Sequence, residues 1–283
     1  MTLHEHIAAA RRQLEAAGIR AEAAALDADV LARHVLGWDR AQLLSRNRDA
    51  APAAFSEHYQ PLVDRRAQRE PVAMITGSRE FWGRDFAVTR DTLVPRPETE
   101  LIVEEALRWL PERASRVIDV GTGTGCLAVT LAAERPQDLV VATDISHEAL
   151  LVARGNAQRH HVADRLRLIR TDLVSGLQVK ADLVVSNPPY VPKPDAVRLP
   201  MDVARYEPAT ALFGGPDGLD LIERLLATLT PLLAPDAGFI VEFGYGQEDD
   251  VRAAAEREGW QVVRMRSDLQ GIARTAVLER QRE

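Results

Sequence analysis

The residues best able to do chemistry in this chain of 283 residues fall in two short runs. One is Asn187-Pro188-Pro189-Tyr190, which follows an apolar run at 183–186 that reads as a buried strand. A carboxamide followed by two prolines makes a stiff turn with no backbone N–H at either proline. The oxygens of Asn187 and Pro188 are then left free to accept hydrogen bonds. Two acceptors match the two N–H groups of a planar NH₂, and Tyr190 adds a flat face against which an amide or a base can lie. The lone pair of such a nitrogen is delocalised. Putting a methyl group on it therefore means orienting the nitrogen and localising that pair, beyond removing a proton. A turn of this composition can also be no more than a turn, and what argues otherwise is its place directly after a strand.

The other run is RVIDVGTGTGCLA, 116–128. Val117, Ile118 and Val120 predict a buried parallel strand, and Gly121, Gly123 and Gly125 precede a helical pattern. Glycines serve there because the turn needs backbone angles that a Cβ disfavours, and because a bound group must approach the main chain closely. The spacing is G-x-G-x-G, whereas a dinucleotide fingerprint reads G-x-G-x-x-G. A second strand, 139–143, closes on Asp144, where a carboxylate can accept from both ribose hydroxyls of an adenosine held by the first turn. The competing reading of Asp144 is a helix N-cap, since Ser146 and a helical run from 147 to 159 follow. A third strand, 166–170, ends beside Asp172 and Leu173, an acid and an apolar neighbour able to border an adenine.

These runs need a scaffold. Strand and helix alternate from 116 onward, and helical patterns at 215–233 and 248–258 flank an apolar strand at 238–243. Two closing strands at 260–265 and 275–278 bring the count to a seven-stranded α/β sheet with an antiparallel edge. Before it, VPRPETE at 94–100 is a rigid turn into a helix, with Arg96, Glu98 and Glu100 as charged residues beside the glycine turn; acidic residues also suit any helix N-terminus. Between Met74 and Val94 the period is two, and Gly83 is available for a hairpin turn. Residues 1–72 read as a small all-helical unit, with Gly18 and Gly37 as helix stops. The expected division is 1–72 helical, 73–94 hairpin linker and 95–283 catalytic.

Composition sets the outer limits. No run approaches the roughly 20 apolar residues of a membrane span, and the N-terminus lacks the uninterrupted apolar stretch of a secretory signal. The single cysteine, Cys126, cannot form an internal disulfide, and a reducing, cytoplasmic setting is the simpler reading. It reads as a packing residue rather than a nucleophile. A formal charge of −7 argues against a protein built to grip duplex DNA through many phosphates. The seven histidines do not cluster with Cys or acidic partners at ligand spacing, so no metal is expected.

Further blocks make a resemblance specific. VPRPETE, DVGTGTG at 119–125, TDIS at 143–146, SNPPY at 186–190, YEPATALFGGPDGLD at 206–220, VEFGYGQ at 241–247 and DLQGIAR at 268–274 together resemble the release factor glutamine methyltransferases, the PrmC or HemK family. The NPPY turn alone is shared with adenine methyltransferases; VPRPETE with YEP and GGPDGL is far more particular. The resemblance covers nearly the whole chain. It implies a class I methyltransferase dependent on S-adenosyl-L-methionine, with a Rossmann-like sheet, a β-hairpin linker and an N-terminal helical domain that recognises substrate. The activity implied is methyl transfer to the side-chain N5 of the glutamine in the Gly-Gly-Gln motif of class 1 peptide release factors, leaving S-adenosyl-L-homocysteine. Gly121, Thr122, Gly123, Thr124 and Gly125 would hold the methionine part of the cofactor, Asp144 its ribose, and Asp172 and Leu173 its adenine, with Asn187 also at the cofactor. Asn187, Pro188, Pro189 and Tyr190 would hold the substrate amide, with Asn187, Pro188 and Tyr190 catalytic. Neither stable nucleic-acid binding nor membrane association is implied. The alternatives are an N6-adenine methyltransferase acting on DNA or RNA and a non-catalytic nucleotide-binding protein.

Overall fold

The structure, a computed structural model, describes residues 1–281. The described residues divide into two compact units, one formed by residues 1–78 with Pro200–Tyr206, the other by residues 79–199 with those from 207 onward.

The first unit holds α1 (Leu3–Ala16), α2 (Ala21–Leu36), α3 (Arg40–Arg46), α4 (Phe55–Ala67) and α5 (Val72–Thr76). Thr2 opens α1 through a capping box with Glu5, and Gly37 ends α2 in the left-handed conformation. Leu3, Leu14, Leu31, Phe55, Tyr59 and Val63 are buried between the helices, and the Tyr59 hydroxyl donates to the Ala28 carbonyl at 2.9 Å. The alternation expected from Met74 therefore starts later: α5 occupies residues up to Thr76, and Gly77 stops it in the left-handed region. A short helix from the later chain, Met201–Tyr206, belongs to this unit. Asp202 lies 3.6 Å from Arg66, which also holds Asp27 at 2.6 Å, and the Tyr206 hydroxyl donates to the Gln68 carbonyl at 2.9 Å.

The second unit begins at Arg79, within a hairpin of β1 (Ser78–Phe81) and β2 (Arg84–Ala87). Trp82 and Gly83 both take positive φ, the two-residue turn whose twist matches that of the flanking strands. The hairpin is bound to its own unit: Asn156 exchanges hydrogen bonds with the backbone of Ala87 and donates to the Thr124 carbonyl at 2.8 Å. Then come α6 (Glu100–Trp109), β3 (Arg116–Val120), α7 (Cys126–Glu134), β4 (Leu139–Asp144), α8 (His147–Arg159), β5 (Leu166–Arg170) and β6 (Ala181–Ser186). With Met201–Tyr206 numbered α9, the remainder is α10 (Asp220–Thr228), β7 (Leu233–Glu242), α11 (Glu248–Arg257), β8 (Trp260–Ser267) and β9 (Ala273–Arg280).

The seven-stranded sheet runs β5-β4-β3-β6-β7-β9-β8. One face buries Ile118, Val184, Phe239 and Val241 against Ile222 and Leu225 of α10 and Val251 of α11; the other buries Val117, Leu183, Val185 and Ile240 against α6 and α7. Two expectations need correction. The antiparallel strand is not an edge: β9 is inserted between β7 and β8, so β8 forms the edge. The helix expected over 215–233 is confined to Asp220–Thr228, because Gly215 and Gly218 take positive φ before it and a 3₁₀ turn containing Pro231 leads into β7, which begins at Leu233.

The strand order reverses between β3 and β6. Crevices at the carboxyl ends of strands at such a point are where open α/β sheets bind ligands. Val120 pairs with Ser186 and Ser186 with Val241, so the glycine turn, the Asn-Pro-Pro-Tyr turn and Glu242 leave the sheet at one level.

Candidate active site

A cavity of about 400 Å³ opens at this point. On the β3 side the turn is held by the neighbouring strand: the N–H groups of Gly121 and Thr122 both donate to the Thr143 carbonyl at 2.9 Å. Gly121, Gly123 and Gly125 have φ of +72°, +54° and +80°. At Gly121 and Gly123 an added Cβ would meet nothing within 4 Å, so bare backbone borders the cavity. Gly125 differs, since a Cβ there would lie 3.1 Å from the Cβ of Ala153 on α8.

Asp144 closes the turn from β4. One carboxylate oxygen accepts from the Gly123 N–H and the other from the Ser146 N–H, both at 2.9 Å. The N-cap of α8 is Ser146, whose hydroxyl accepts from the Ala149 N–H at 3.1 Å. Asp144 therefore does not serve as that cap, and each of its oxygens keeps a lone pair beside the cavity. Behind the turn, Asp119 accepts from the Thr122 hydroxyl at 2.6 Å and the Ala128 N–H at 3.2 Å. Burial pushes its carboxyl up to about 7, against those two bonds and with Asp144 raising it further. Burial likewise pushes the Cys126 thiol up to about 12, which suits a packing residue. Asp172 and Leu173 border the cavity too, with Asp172 2.6 Å from Arg224.

On the β6 side Asn187 and Pro189 border the cavity. The Asn187 Nδ2 donates to the Thr99 hydroxyl oxygen at 2.9 Å. Among the described residues no protein donor meets Asn187 Oδ1 or the Pro188 carbonyl. Pro188 is buried, and neither it nor Tyr190 lines the cavity with the others. The Tyr190 hydroxyl turns inward and donates to Glu242 Oε1 at 3.1 Å, while its carbonyl accepts from the Gln247 side chain at 3.1 Å.

Sequence reasoning missed Thr99 and Glu242. Thr99 lies inside VPRPETE, where the charged neighbours drew attention instead. Its hydroxyl donates to Glu242 Oε2 at 2.7 Å. Glu242 ends a ten-residue strand with an apolar C-terminal half, and a lone acid there was the available signal. Its side chain is 1% exposed. Burial pushes its carboxyl up to about 7; Glu98 adds to the rise, while the bonds from Thr99 and Tyr190 and the charge of Arg274 oppose it. Among the charged residues of the turn, Arg96 donates to both carboxylate oxygens of Glu207 at 2.7 and 2.8 Å, and Glu100 accepts from the Trp82 N–H at 2.8 Å.

The chain matches two known families, described as PrmC N-terminal domain over residues 5–77 and Methyltransferase small domain over residues 99–199. It is 43% identical over 252 residues to the release factor glutamine methyltransferase of Bordetella pertussis, across 88% of this chain and 92% of the relative. The enzyme of the same description from Koribacter versatilis is 39% identical over 280 residues, covering 98% of each chain. Among solved structures, a methyltransferase from Pyrococcus furiosus aligns with a TM-score of 0.53 at 18% identity, over 79% of this chain and 97% of that one. The hMettl16 catalytic domain in complex with MAT2A 3'UTR hairpin 6 aligns with a TM-score of 0.57 at 16% identity, over 76% and 81%. Both structural likenesses concern the fold.

Proposed function

The chain belongs to the release factor glutamine methyltransferases, and from that premise we propose that it methylates the side-chain N5 of the glutamine in the Gly-Gly-Gln motif of class 1 peptide chain release factors, using S-adenosyl-L-methionine. The observation that carries the reading is Asn187 at the carboxyl end of β6: it borders the cavity with an Oδ1 that no protein donor meets among the described residues, and the Pro188 carbonyl, the next acceptor along the turn, is likewise unmet. A primary amide brings two N–H groups, and two fixed acceptors turn its nitrogen and draw the lone pair out of conjugation.

The cavity also fits the cofactor. Bare backbone at Gly121 and Gly123 admits a close ligand, Asp144 offers spare lone pairs for a ribose diol, and Leu173 offers an apolar border for a flat base. When bound, S-adenosyl-L-methionine supplies a methyl group on a sulfonium, reactive enough to need no metal or covalent enzyme intermediate. The protein's task is then alignment: Asn187 and Pro188 hold the nitrogen, Tyr190 stiffens their turn through Glu242 and Gln247, and the glycine turn holds the other partner. Alignment of this kind can contribute several powers of ten in rate. In the same reading the helical unit supplies binding surface for the release factor.

Incubation with labelled S-adenosyl-L-methionine and a release factor should place the label on one glutamine, located by peptide mass spectrometry. Label entering DNA or RNA while release factor stays unlabelled would overturn the proposal. Asn187→Ala should lower kcat by about a hundredfold or more while S-adenosyl-L-methionine affinity changes little. Equal loss of both would assign Asn187 to the cofactor instead.

A further inference from the structure

Asn187 can offer the cavity an acceptor or a donor, depending on which way its carboxamide is turned. What turns it lies two residues away along a hydrogen-bond chain. Its Nδ2 donates to Thr99 Oγ1 at 2.9 Å, and Thr99 donates to Glu242 Oε2 at 2.7 Å. A threonine hydroxyl has one proton. With that proton directed at Glu242, the Thr99 oxygen can only accept from Asn187, so the NH₂ end of Asn187 faces Thr99 and Oδ1 is left for the cavity. Were the far group a donor, the chain would run in reverse. Asn187 would then present NH₂, which cannot accept from a substrate amide.

We propose that Glu242 is a positioning residue that, through Thr99, fixes which end of the Asn187 carboxamide faces the substrate. The inference rests on the reading of Asn187 as the acceptor for the substrate NH₂, and it adds two residues that never touch that nitrogen. It also makes the orientation depend on a proton. A protonated Glu242 becomes a donor at one oxygen, and the hydroxyl it meets there, that of Thr99 or Tyr190, must turn its own proton away. If that hydroxyl is Thr99, its proton goes to Asn187, which must offer Oδ1 inward and turn NH₂ to the cavity. The groups facing Glu242 are Thr99 and Glu98 from the turn before α6, Tyr190 from the turn after β6 and Arg274 from β9, while Cys126 at the start of α7 senses its charge. Burial outweighs the others and pushes the Glu242 carboxyl up to about 7, within reach of ordinary buffers.

Thr99→Val keeps the side-chain shape and removes the hydroxyl, whereas Thr99→Ser keeps the hydroxyl. In methyl transfer to a release factor, Thr99→Val should lower kcat by about tenfold or more, with the KM for S-adenosyl-L-methionine within about twofold, and Thr99→Ser should recover most of the loss. Wild-type kcat should fall on the acid side of about pH 7, and Glu242→Gln should remove that limb. A second readout needs no substrate: the side-chain amide of Asn187, labelled with ¹⁵N and assigned by its loss in Asn187→Asp, should shift with a midpoint near pH 7 in the wild type and stay still in Glu242→Gln. A chain that methylates no release factor yet shows this titration overturns the functional proposal and supports the link. Wild-type kcat in Thr99→Val, or an acid limb and an Asn187 titration that both persist in Glu242→Gln, overturns the link.

Discussion

Asp144 shows how much one side chain can hold together: its two oxygens tie the N–H of Gly123 in one loop to the N–H of Ser146 in the next. Asp144→Ala leaves both donors without their acceptor. S-adenosyl-L-methionine should then bind at least about tenfold more weakly by calorimetry, and the chain should lose about 1–2 kcal/mol in denaturant unfolding. Asp144→Asn, with one acceptor and one donor, should fall between. Undiminished cofactor affinity in Asp144→Ala would show that the carboxylate serves the loops alone. The glycine turn and Asp144 were legible in the sequence because their spacing is local and their chemistry follows from residue type. Thr99 and Glu242 were not, since the bonds that define them join residues 88 and 143 positions apart. A buried acid at a strand end reads as an oddity until its partners are known.

Elements set the level at which these residues meet. The run of parallel strands could be read from apolar runs alternating with helical patterns, and the reversal between β3 and β6 then brings both loops to one edge of the sheet. The place of β9 could not, because a strand's own residues do not name its neighbours; only the pairing of Gly238–Glu242 with Thr275–Glu279 reveals it. Gly238 was read merely as the start of a strand, yet a Cβ there would lie 2.5 Å from the Trp109 ring on α6. Gly238→Ala should push α6 off β7 and lower stability by about 1–3 kcal/mol. Because Thr99 immediately precedes α6, kcat should fall more than cofactor affinity. A variant as stable as the wild type would show that Trp109 yields without moving the helix. One turn before Trp109, buried Glu105 is met by Arg108 of the same helix and by Arg264 and Arg266, which join α6 to β8.

At the scale of the whole molecule, the two buried acids make stability depend on pH in an unusual direction. Asp119 and Glu242 both have folded-state values near 7, above their ordinary 3.8 and 4.5. The folded chain therefore holds these protons more tightly than the unfolded one. Their stabilising contribution is complete below about pH 4 and is lost as pH rises through about 7. For Glu242 the span is on the order of 3 kcal/mol. Glu242→Gln should accordingly unfold at higher denaturant than the wild type at pH 8, with the gap closing towards pH 5. A gap independent of pH would show that Glu242 stays ionised throughout.

The segment Pro200–Tyr206 belongs with the helices of residues 1–78, while the residues on either side of it belong to the sheet-bearing unit. The polypeptide thus crosses from one unit to the other three times, and no single cut divides it into independent modules. A protease that severed the chain at the first crossing would leave two fragments still interlaced, with Asp202 and Tyr206 of one lodged on Arg66 and Gln68 of the other. Residues 79–283 expressed alone would carry an orphaned helical turn in search of its lost neighbours, so transplanting the N-terminal helices between relatives calls for exchanging that seven-residue insert along with them.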